Sequence, residues 1–128
     1  MPRATLLWAG LLGLVYLGLA VRVIRARGQA RTALGHGGDR TLERAIRAHG
    51  NFAEYVPFAL LLLLLAELSG MAGWAAHAAG ALLLAGRVSH ALGIAQEPEN
   101  FRFRVTGMAI TFAVIASLSF TCLIGALR

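Results

Sequence analysis

Four long apolar stretches constrain the fold of this chain more than any other feature. They cover about residues 5–24, 52–69, 72–94 and 105–127, and each approaches the roughly 20 residues that a helix needs to cross the hydrocarbon layer of a bilayer. The chain is 58% hydrophobic and only 14% charged, whereas a soluble domain of this size exposes far more charge. We therefore predict an all-α integral membrane protein in which residues 1–128 form a single bundle of four transmembrane helices.

The connections between the four stretches predict how the spans follow one another. Residues 69–73 (SGMAG) form a short turn that makes the second and third spans an antiparallel hairpin. The first connection contains residues 35–38 (GHGG), a loop segment after which Asp39 or Thr41 can cap the next helix. Pro98 ends the helix between the third and fourth spans.

The placement of the arginines predicts the orientation in the membrane. The chain carries a formal net charge of +6 without any lysine, and its arginines lie at the ends of apolar runs, where contact with lipid headgroups explains them better than nucleic-acid binding does. The second connection has no arginine, whereas the first and third hold or border most of them. We expect loops one and three to be cytoplasmic and both termini to face the other side. Arginine without lysine, with abundant alanine and glycine, indicates a GC-rich bacterial genome and hence a bacterial inner membrane.

An alternative interpretation makes residues 1–20 a cleaved signal peptide. Arg3 would be its basic region, and residues 18–20 (GLA) its small-residue cleavage site. The arginines directly after Ala20 suit a cytoplasmic stop better than a translocated mature end, and cleavage would leave only three helices. We therefore favour a retained first span.

A polar stripe runs along one face of the second helix and into its apolar span. At 100° per residue, five side chains fall on this stripe, namely Arg40, Arg44, Arg47, Asn51 and Glu54. Such groups cannot face lipid, so the stripe must face protein, water or a ligand. We expect Glu54 to pair with an arginine from another helix or subunit.

Further polar residues at the same depth predict a positively charged pocket. Arg87 and His90 share a face of the third span, just after Gly86, which permits close helix approach. The other contributions come from Arg22 at the end of the first span and from Arg102 and Arg104 at the start of the fourth. Convergent guanidinium groups suit a small polyanion and lower the pKa of a thiol placed among them. The scattered histidines have no metal-ligand spacing, so we expect no metal.

Three segments resemble the signature of the MAPEG family, the membrane-associated proteins of eicosanoid and glutathione metabolism. They are residues 43–57 (ERAIRAHGNFAEYVP), with the spacing E-R-x-x-R-x-x-x-N-x-x-E-x-x-P, residues 86–90 (GRVSH) and residues 101–104 (FRFR). The chain is most similar to small bacterial members of uncharacterised role.

This resemblance implies a homotrimer with ligand sites between neighbouring subunits, open to the cytoplasmic leaflet. Family enzymes bind glutathione there as co-substrate and activate its thiol for attack on lipophilic electrophiles or hydroperoxides. Either Arg104 or Arg102 matches the arginine that stabilises the thiolate. The resemblance assigns glutathione contacts or supporting roles to Arg22, Arg47, Asn51, Glu54, Arg87 and His90.

Two departures from the family pattern keep other functions open. Gly50 stands where several mammalian members have an arginine, and Ile94 where they have a ligand-binding tyrosine. A non-catalytic member that binds a lipid or an anionic metabolite in the same pocket is therefore the alternative. A small four-helix multidrug exporter would need a carboxylate in the first span, which has none.

Overall fold

The computed structural model describes residues 1–127 and builds them into four helices. They are α1 (Arg3–Ala30), α2 (Arg40–Leu68), α3 (Gly73–Ala95) and α4 (Phe101–Ala126). All four are long and apolar enough to cross a membrane, as the apolar stretches predict. α2 begins at Arg40, so the arginine-rich segment and the second span are one continuous helix.

Each connection is closed by local chemistry that the sequence supplies. Asp39 is the N-cap of α2 and accepts a hydrogen bond from the Leu42 N–H at 2.7 Å. Asn100 caps α4 in the same way, accepting from the Phe103 N–H at 3.2 Å. Both caps satisfy backbone donors that have no partner inside the helix. The α2–α3 turn passes through Gly70 at φ 95°, a backbone conformation that glycine adopts without strain.

The start of α1 is capped by a residue from the far end of α2. The carboxylate of Glu67 accepts hydrogen bonds from the backbone N–H groups of Ala4 and Thr5, at 2.9 and 2.8 Å, and from the Thr5 hydroxyl at 2.8 Å. The first turn of α1 has no acidic residue of its own. A carboxylate at this position also interacts favourably with the positive end of the helix dipole. Glu67 therefore joins α1 to α2 at the end of the bundle that carries the α2–α3 turn.

The helices form a bundle in which α2 and α3 are central. α1 packs on α2 and α3, and α4 packs on the same two helices, whereas α1 and α4 do not touch within residues 1–127. The core between them is filled by fully buried leucines, among them Leu12, Leu63, Leu83 and Leu118. The two connections at the other end, residues 31–39 and 96–100, define what we call the loop end of the bundle.

Glycines bring α3 and α4 into backbone contact. A Cβ on Gly107 would collide with the carbonyl oxygen of Gly86 and with the backbone of His90, and one on Gly93 would collide with the backbone of Arg104. Small residues at a helix crossing permit such an approach in membrane proteins. This crossing fixes the start of α4 against the arginine-bearing end of α3.

The outside of the bundle is strongly apolar. Trp74 is 79% exposed, and large side chains such as Leu14, Leu17, Phe112 and Phe120 also point outward. A soluble monomer does not tolerate an apolar surface of this extent. The surface is suited to lipid and to contact with other membrane helices.

Candidate functional site

The polar stripe of α2 is divided between the surface and the interior. Arg40 and Arg47 are exposed, Arg44 and Asn51 are half-buried, and Glu54 is exposed. The stripe also meets polar side chains from α3 and α4, which arrange themselves in two groups. One group lies inside the bundle and the other lines a cavity at the loop end.

The interior group is built around Arg87, whose side chain is only 1% exposed. Its Nη2 donates to Asn51 Oδ1 at 2.5 Å and lies 3.3 Å from His90 Nδ1. Its Nη1 lies 3.5 Å from Thr111 Oγ1 and 3.4 Å from Met108 Sδ. We call these five residues the interior cluster. It joins α2, α3 and α4 through one guanidinium group.

The charge of Arg87 is surrounded by neutral partners. Within residues 1–127 no carboxylate forms a salt bridge with it, and its Nε is buried without a hydrogen-bond partner. The Phe52 ring lies below the guanidinium, 5.8 Å from its carbon to the ring centroid, a favourable cation–π distance. Because a buried charge is costly unless its hydrogen bonds are made, the neutral acceptors of the interior cluster hold Arg87 in place.

The second group lines a cavity of about 420 Å³ at the loop end. We call it the arginine cavity, and its walls are Arg40, Glu43, Arg44, Arg47, Ile94, Glu99 and Arg104. Four arginines against two glutamates leave its wall with an excess of positive charge. It is large enough for a small polar ligand, and guanidinium groups bind carboxylates in a bidentate manner.

Ion pairs already connect the wall of this cavity. Arg104 Nη1 donates to both carboxylate oxygens of Glu99, at 3.1 and 3.0 Å, and Arg44 Nη1 lies 3.9 Å from the same carboxylate. Arg44 also lies 3.4 Å from the Ile94 carbonyl oxygen. These contacts bring the first turns of α2 and α4 and the end of α3 together around one space.

The structure gathers five of the eight residues to which the family resemblance assigns a role. Asn51, Arg87 and His90 belong to the interior cluster, and Arg47 and Arg104 line the arginine cavity. The remaining three lie in neither group: Arg22 is half-buried on α1, and Arg102 and Glu54 are exposed. Glu54 forms no salt bridge within residues 1–127, so an arginine partner for it would have to come from another chain.

Sequence reasoning missed three contributors to these groups. Thr111 and Met108 complete the interior cluster from α4. A hydroxyl alone did not single out Thr111, because the same span also carries Thr106, Ser117, Ser119 and Thr121. Glu99 lies on a short loop, where no periodicity predicts the direction of a side chain.

The two positions that depart from the family pattern differ in surroundings. Ile94 is buried and lines the arginine cavity, so it presents an alkyl group to that space. Gly50 is half-buried, and a Cβ there would meet nothing within 4 Å. The missing tyrosine therefore changes the chemistry of the cavity wall, whereas the missing arginine leaves open space.

An apolar groove of about 440 Å³ runs between α1 and α2. Its walls include Gly13, Tyr16, Val56 and Pro57. The Tyr16 ring stacks on His49, with the ring centroids 4.7 Å apart, so one polar pair borders an otherwise apolar channel. The groove is suited to a lipophilic molecule. No group of three or more His, Cys, Asp or Glu side chains that could hold a metal occurs within residues 1–127.

Comparison with known proteins places this architecture in a family. The MAPEG family profile matches residues 5–124. The chain is also 40% identical over 109 residues to the inner membrane protein YecN of Escherichia coli strain K12, an alignment that covers 85% of this chain and 82% of that protein. The YecN protein of E. coli O6:H1 strain CFT073 matches to the same extent. With a match over nearly its whole length and four helices of the expected order, the chain belongs to the MAPEG family.

Proposed function

We propose that this protein is a membrane-bound, glutathione-dependent transferase or peroxidase. The observation that carries the proposal is the arginine cavity, in which side chains from α2 and α4 surround a space of about 420 Å³ at one end of an apolar bundle. Glutathione carries two carboxylates and an acidic thiol, which match a wall rich in guanidinium groups.

We assign each candidate residue a role in glutathione binding according to where it lies in the structure. Arg47, together with Arg44, lies at the cavity wall and is suited to the carboxylates of glutathione. Arg87, Asn51 and His90 do not line the cavity; they belong to the interior cluster, which joins α2, α3 and α4. Arg22 and Glu54 complete the set if a neighbouring subunit brings them to the cavity, with Glu54 suited to the glutathione amino group.

Arg104 is the stronger candidate for stabilising the thiolate. It lines the cavity, whereas Arg102 is exposed and does not. A free thiol with a pKa of about 8.5 is about 3% thiolate at pH 7, and lowering that pKa by about 1.5 units raises the fraction to about half. The thiolate then attacks an electrophilic carbon and displaces its leaving group. With a hydroperoxide, two glutathione molecules are oxidised to the disulfide, and the products are an alcohol and water.

The lipophilic substrate would enter from the bilayer by way of the groove between α1 and α2, which shares no lining residue with the arginine cavity of the same chain. The groove is lined almost entirely by apolar side chains of α1 and α2, so a hydrophobic molecule gains by entering it from lipid without crossing water. No protein nucleophile is required, because glutathione supplies the reactive sulfur.

The proposal includes an assembly and a location. Glu54 is exposed on a helix that is long and apolar enough to cross a membrane, which supports an assembly in which a second copy covers it; we propose the homotrimer that the family resemblance implies. The relatives are named inner membrane proteins, which supports the same location for this chain. Residues 1–128 would form one domain, with loops one and three in the cytoplasm and both termini on the other side.

One observation favours a second function, the binding of a lipid or an anionic metabolite without catalysis. Ile94 lines the cavity and offers no hydroxyl to a bound thiol. A cavity without that hydrogen-bond donor retains its attraction for anions and loses a contact that orients the sulfur.

A glutathione titration of the purified protein distinguishes the two functions. Thiolate absorbance near the ultraviolet edge is followed at neutral pH in the wild type, in Arg104→Ala and in Arg102→Ala. Arg102 is the matched control, because it is the same residue type in the same helical turn and lies outside the cavity. We expect a saturable signal that Arg104→Ala abolishes and Arg102→Ala retains.

The other outcomes decide against parts of the proposal. A signal lost only in Arg102→Ala would move the thiolate partner to that residue. A signal unchanged in both variants would exclude arginine stabilisation of the thiolate by either residue. No signal at millimolar glutathione would favour the binding function.

A further inference from the structure

We infer that Glu99 is an internal occupant of the arginine cavity and selects polyanionic ligands over monoanionic ones. The inference rests on the proposed function only for the choice of glutathione as one probe. The contacts that carry it are internal to the chain.

The carboxylate of Glu99 lies where an acidic group of a ligand would bind. Both of its oxygens accept from Arg104 Nη1, at 3.1 and 3.0 Å, and Oε2 lies 3.9 Å from Arg44 Nη1. All three residues line the same cavity. A carboxylate between guanidinium groups of two helices is the arrangement that a ligand carboxylate would make there. Glu99 therefore competes with any anion that uses Arg104.

The loop that bears Glu99 is tied to three helices. The next residue, Asn100, caps α4 through its side chain and donates its backbone N–H to the Gly93 carbonyl oxygen on α3, at 3.0 Å. On the other side, Glu97 pairs with Arg40 of α2 at 3.1 Å. A group held this closely has a high effective concentration at its partner. Glu99 is therefore present in the cavity whenever a ligand is absent.

The ion pair is nevertheless weak enough to be displaced. The Arg104 and Glu99 side chains are 38% and 33% exposed, and pairs at this exposure contribute little and are screened by salt. An anion with a single acidic group only exchanges one carboxylate for another. A ligand with several acidic groups gains additional contacts with Arg44 and Arg47, so it displaces Glu99 where a monoanion does not.

A purely structural role for Glu99 makes the opposite prediction. Glu99 directly precedes the N-cap of α4, where a negative charge stabilises the helix through its dipole. If that were its only role, removing the charge would destabilise α4 and weaken the cavity.

The test measures anion binding by protection of the full-length protein against thermal unfolding in detergent. The probes are glutathione, citrate as a second polyanion and acetate as a monoanion. We expect Glu99→Gln to bind both polyanions about 2- to 5-fold more tightly than the wild type, because the competing ion pair is of the exposed class. Acetate should gain by a larger factor, since Glu99 excludes it most effectively. The matched comparison is Glu97→Gln, which removes the same charge from the same loop and frees Arg40, another residue of the cavity wall. Because the Arg40 and Glu97 side chains are 76% and 48% exposed, their pair is weaker than that of Arg104 and Glu99, and this variant should change affinity less than about twofold.

A second variant separates occupancy of Arg104 from the total charge of the cavity. In an Arg104→Ala background, Glu99→Gln should improve citrate binding no more than Glu97→Gln does, because the arginine that Glu99 occupies is absent. An undiminished improvement would overturn the inference, since summed charge alone would explain it.

The outcomes for this inference and for the proposed function are distinguishable. If Glu99→Gln tightens citrate binding and glutathione binds neither the wild type nor the variant, the role of Glu99 as internal occupant is supported and the glutathione function is excluded. If Glu99→Gln leaves or weakens the binding of both polyanions, the internal occupant falls even where glutathione turnover persists. Absence of saturable protection by any of the three anions would also overturn it, because an arginine cavity relieved of a carboxylate must bind polyanions.

Discussion

The interior cluster and the arginine cavity use the same cation in opposite ways. Arg87 is buried and held by neutral partners, Asn51 above all. Arg104 is partly exposed and paired with the carboxylate of Glu99. A buried charge cannot lose a hydrogen bond without a large cost, whereas an exposed ion pair exchanges its partner with little change in free energy. We therefore expect the hydrogen bonds of the interior cluster to stay in place, whereas the ion pairs of the arginine cavity can be replaced by contacts with a ligand.

The largest expected effect comes from breaking the interior cluster. Asn51→Ala removes the acceptor of Arg87 Nη2 and should lower the free energy of unfolding by about 1.5–3 kcal/mol, the usual value for a hydrogen bond to a charged group. Unfolding in mixed detergent micelles measures this. Asn51→Asp, which retains an acceptor, should be distinctly less destabilised, and equal losses in the two variants would contradict the assigned role of the hydrogen bond.

Separating α3 from α4 tests whether the two groups depend on one helix crossing. A methyl group at Gly93 would collide with the backbone of Arg104, so Gly93→Ala should cost about 1–3 kcal/mol of stability, as overpacking does. It should also weaken citrate binding, because the first turn of α4 moves. Gly50→Ala is the control: it meets open space and should stabilise α2 by about 0.5–1 kcal/mol. If Gly93→Ala left stability and citrate binding unchanged, α3 and α4 would not be in close backbone contact at this crossing.

The Glu67 carboxylate, which caps α1, is a third charged group for this comparison. Like Arg87 it has only neutral hydrogen-bond partners, but it lies at the other end of the bundle. Glu67→Ala removes three hydrogen bonds to Ala4 and Thr5 and should lower stability by about 0.5–2 kcal/mol, the range for loss of an N-cap. Hydrogen exchange of the first turn of α1 should rise with it. Unchanged exchange there would mean that the cap contributes nothing to the order of that turn.

The smallest expected effect on stability belongs to the arginine cavity. Arg104→Ala should change the free energy of unfolding by no more than about 1 kcal/mol, because its ion pair with Glu99 is exposed to water. The difference should shrink further at high salt. A loss as large as that of Asn51→Ala would erase the distinction between the two groups.

The sequence predicted the four helices and the polar face of α2 because both follow from local patterns in the chain. Hydrophobic length defines a span, and 100° per residue places Arg44, Arg47 and Asn51 on one face. The position before the periodic segment left Asp39 and Thr41 as alternative caps, and the structure has Asp39 as the cap. Each of these patterns lies within one segment of the chain, so it can be recognised without knowing which residues of other helices that segment contacts.

The division into two groups could not be predicted, since it depends on distances between helices. The sequence predicted arginines of all four spans at one depth. The close packing at Gly93 and Gly107 sets the distance between α3 and α4, and in that arrangement Arg87 lies inside the bundle while Arg104 lines the cavity. Glu99 lies on a loop, where its direction depends on the contacts of Asn100 and Glu97 rather than on a repeat.

The cap formed by Glu67 cannot form until both of the first two helices have been synthesised. Glu67 follows Thr5 by 62 residues, so the first turn of α1 has no carboxylate partner until the whole of α2 has been made and has crossed to the same side. A first helix inserted alone, or a second helix inserted in the wrong direction, leaves that turn without its cap. The contact therefore favours chains whose first two spans have reached their antiparallel arrangement, and it does so at the end of the bundle opposite the arginine cavity.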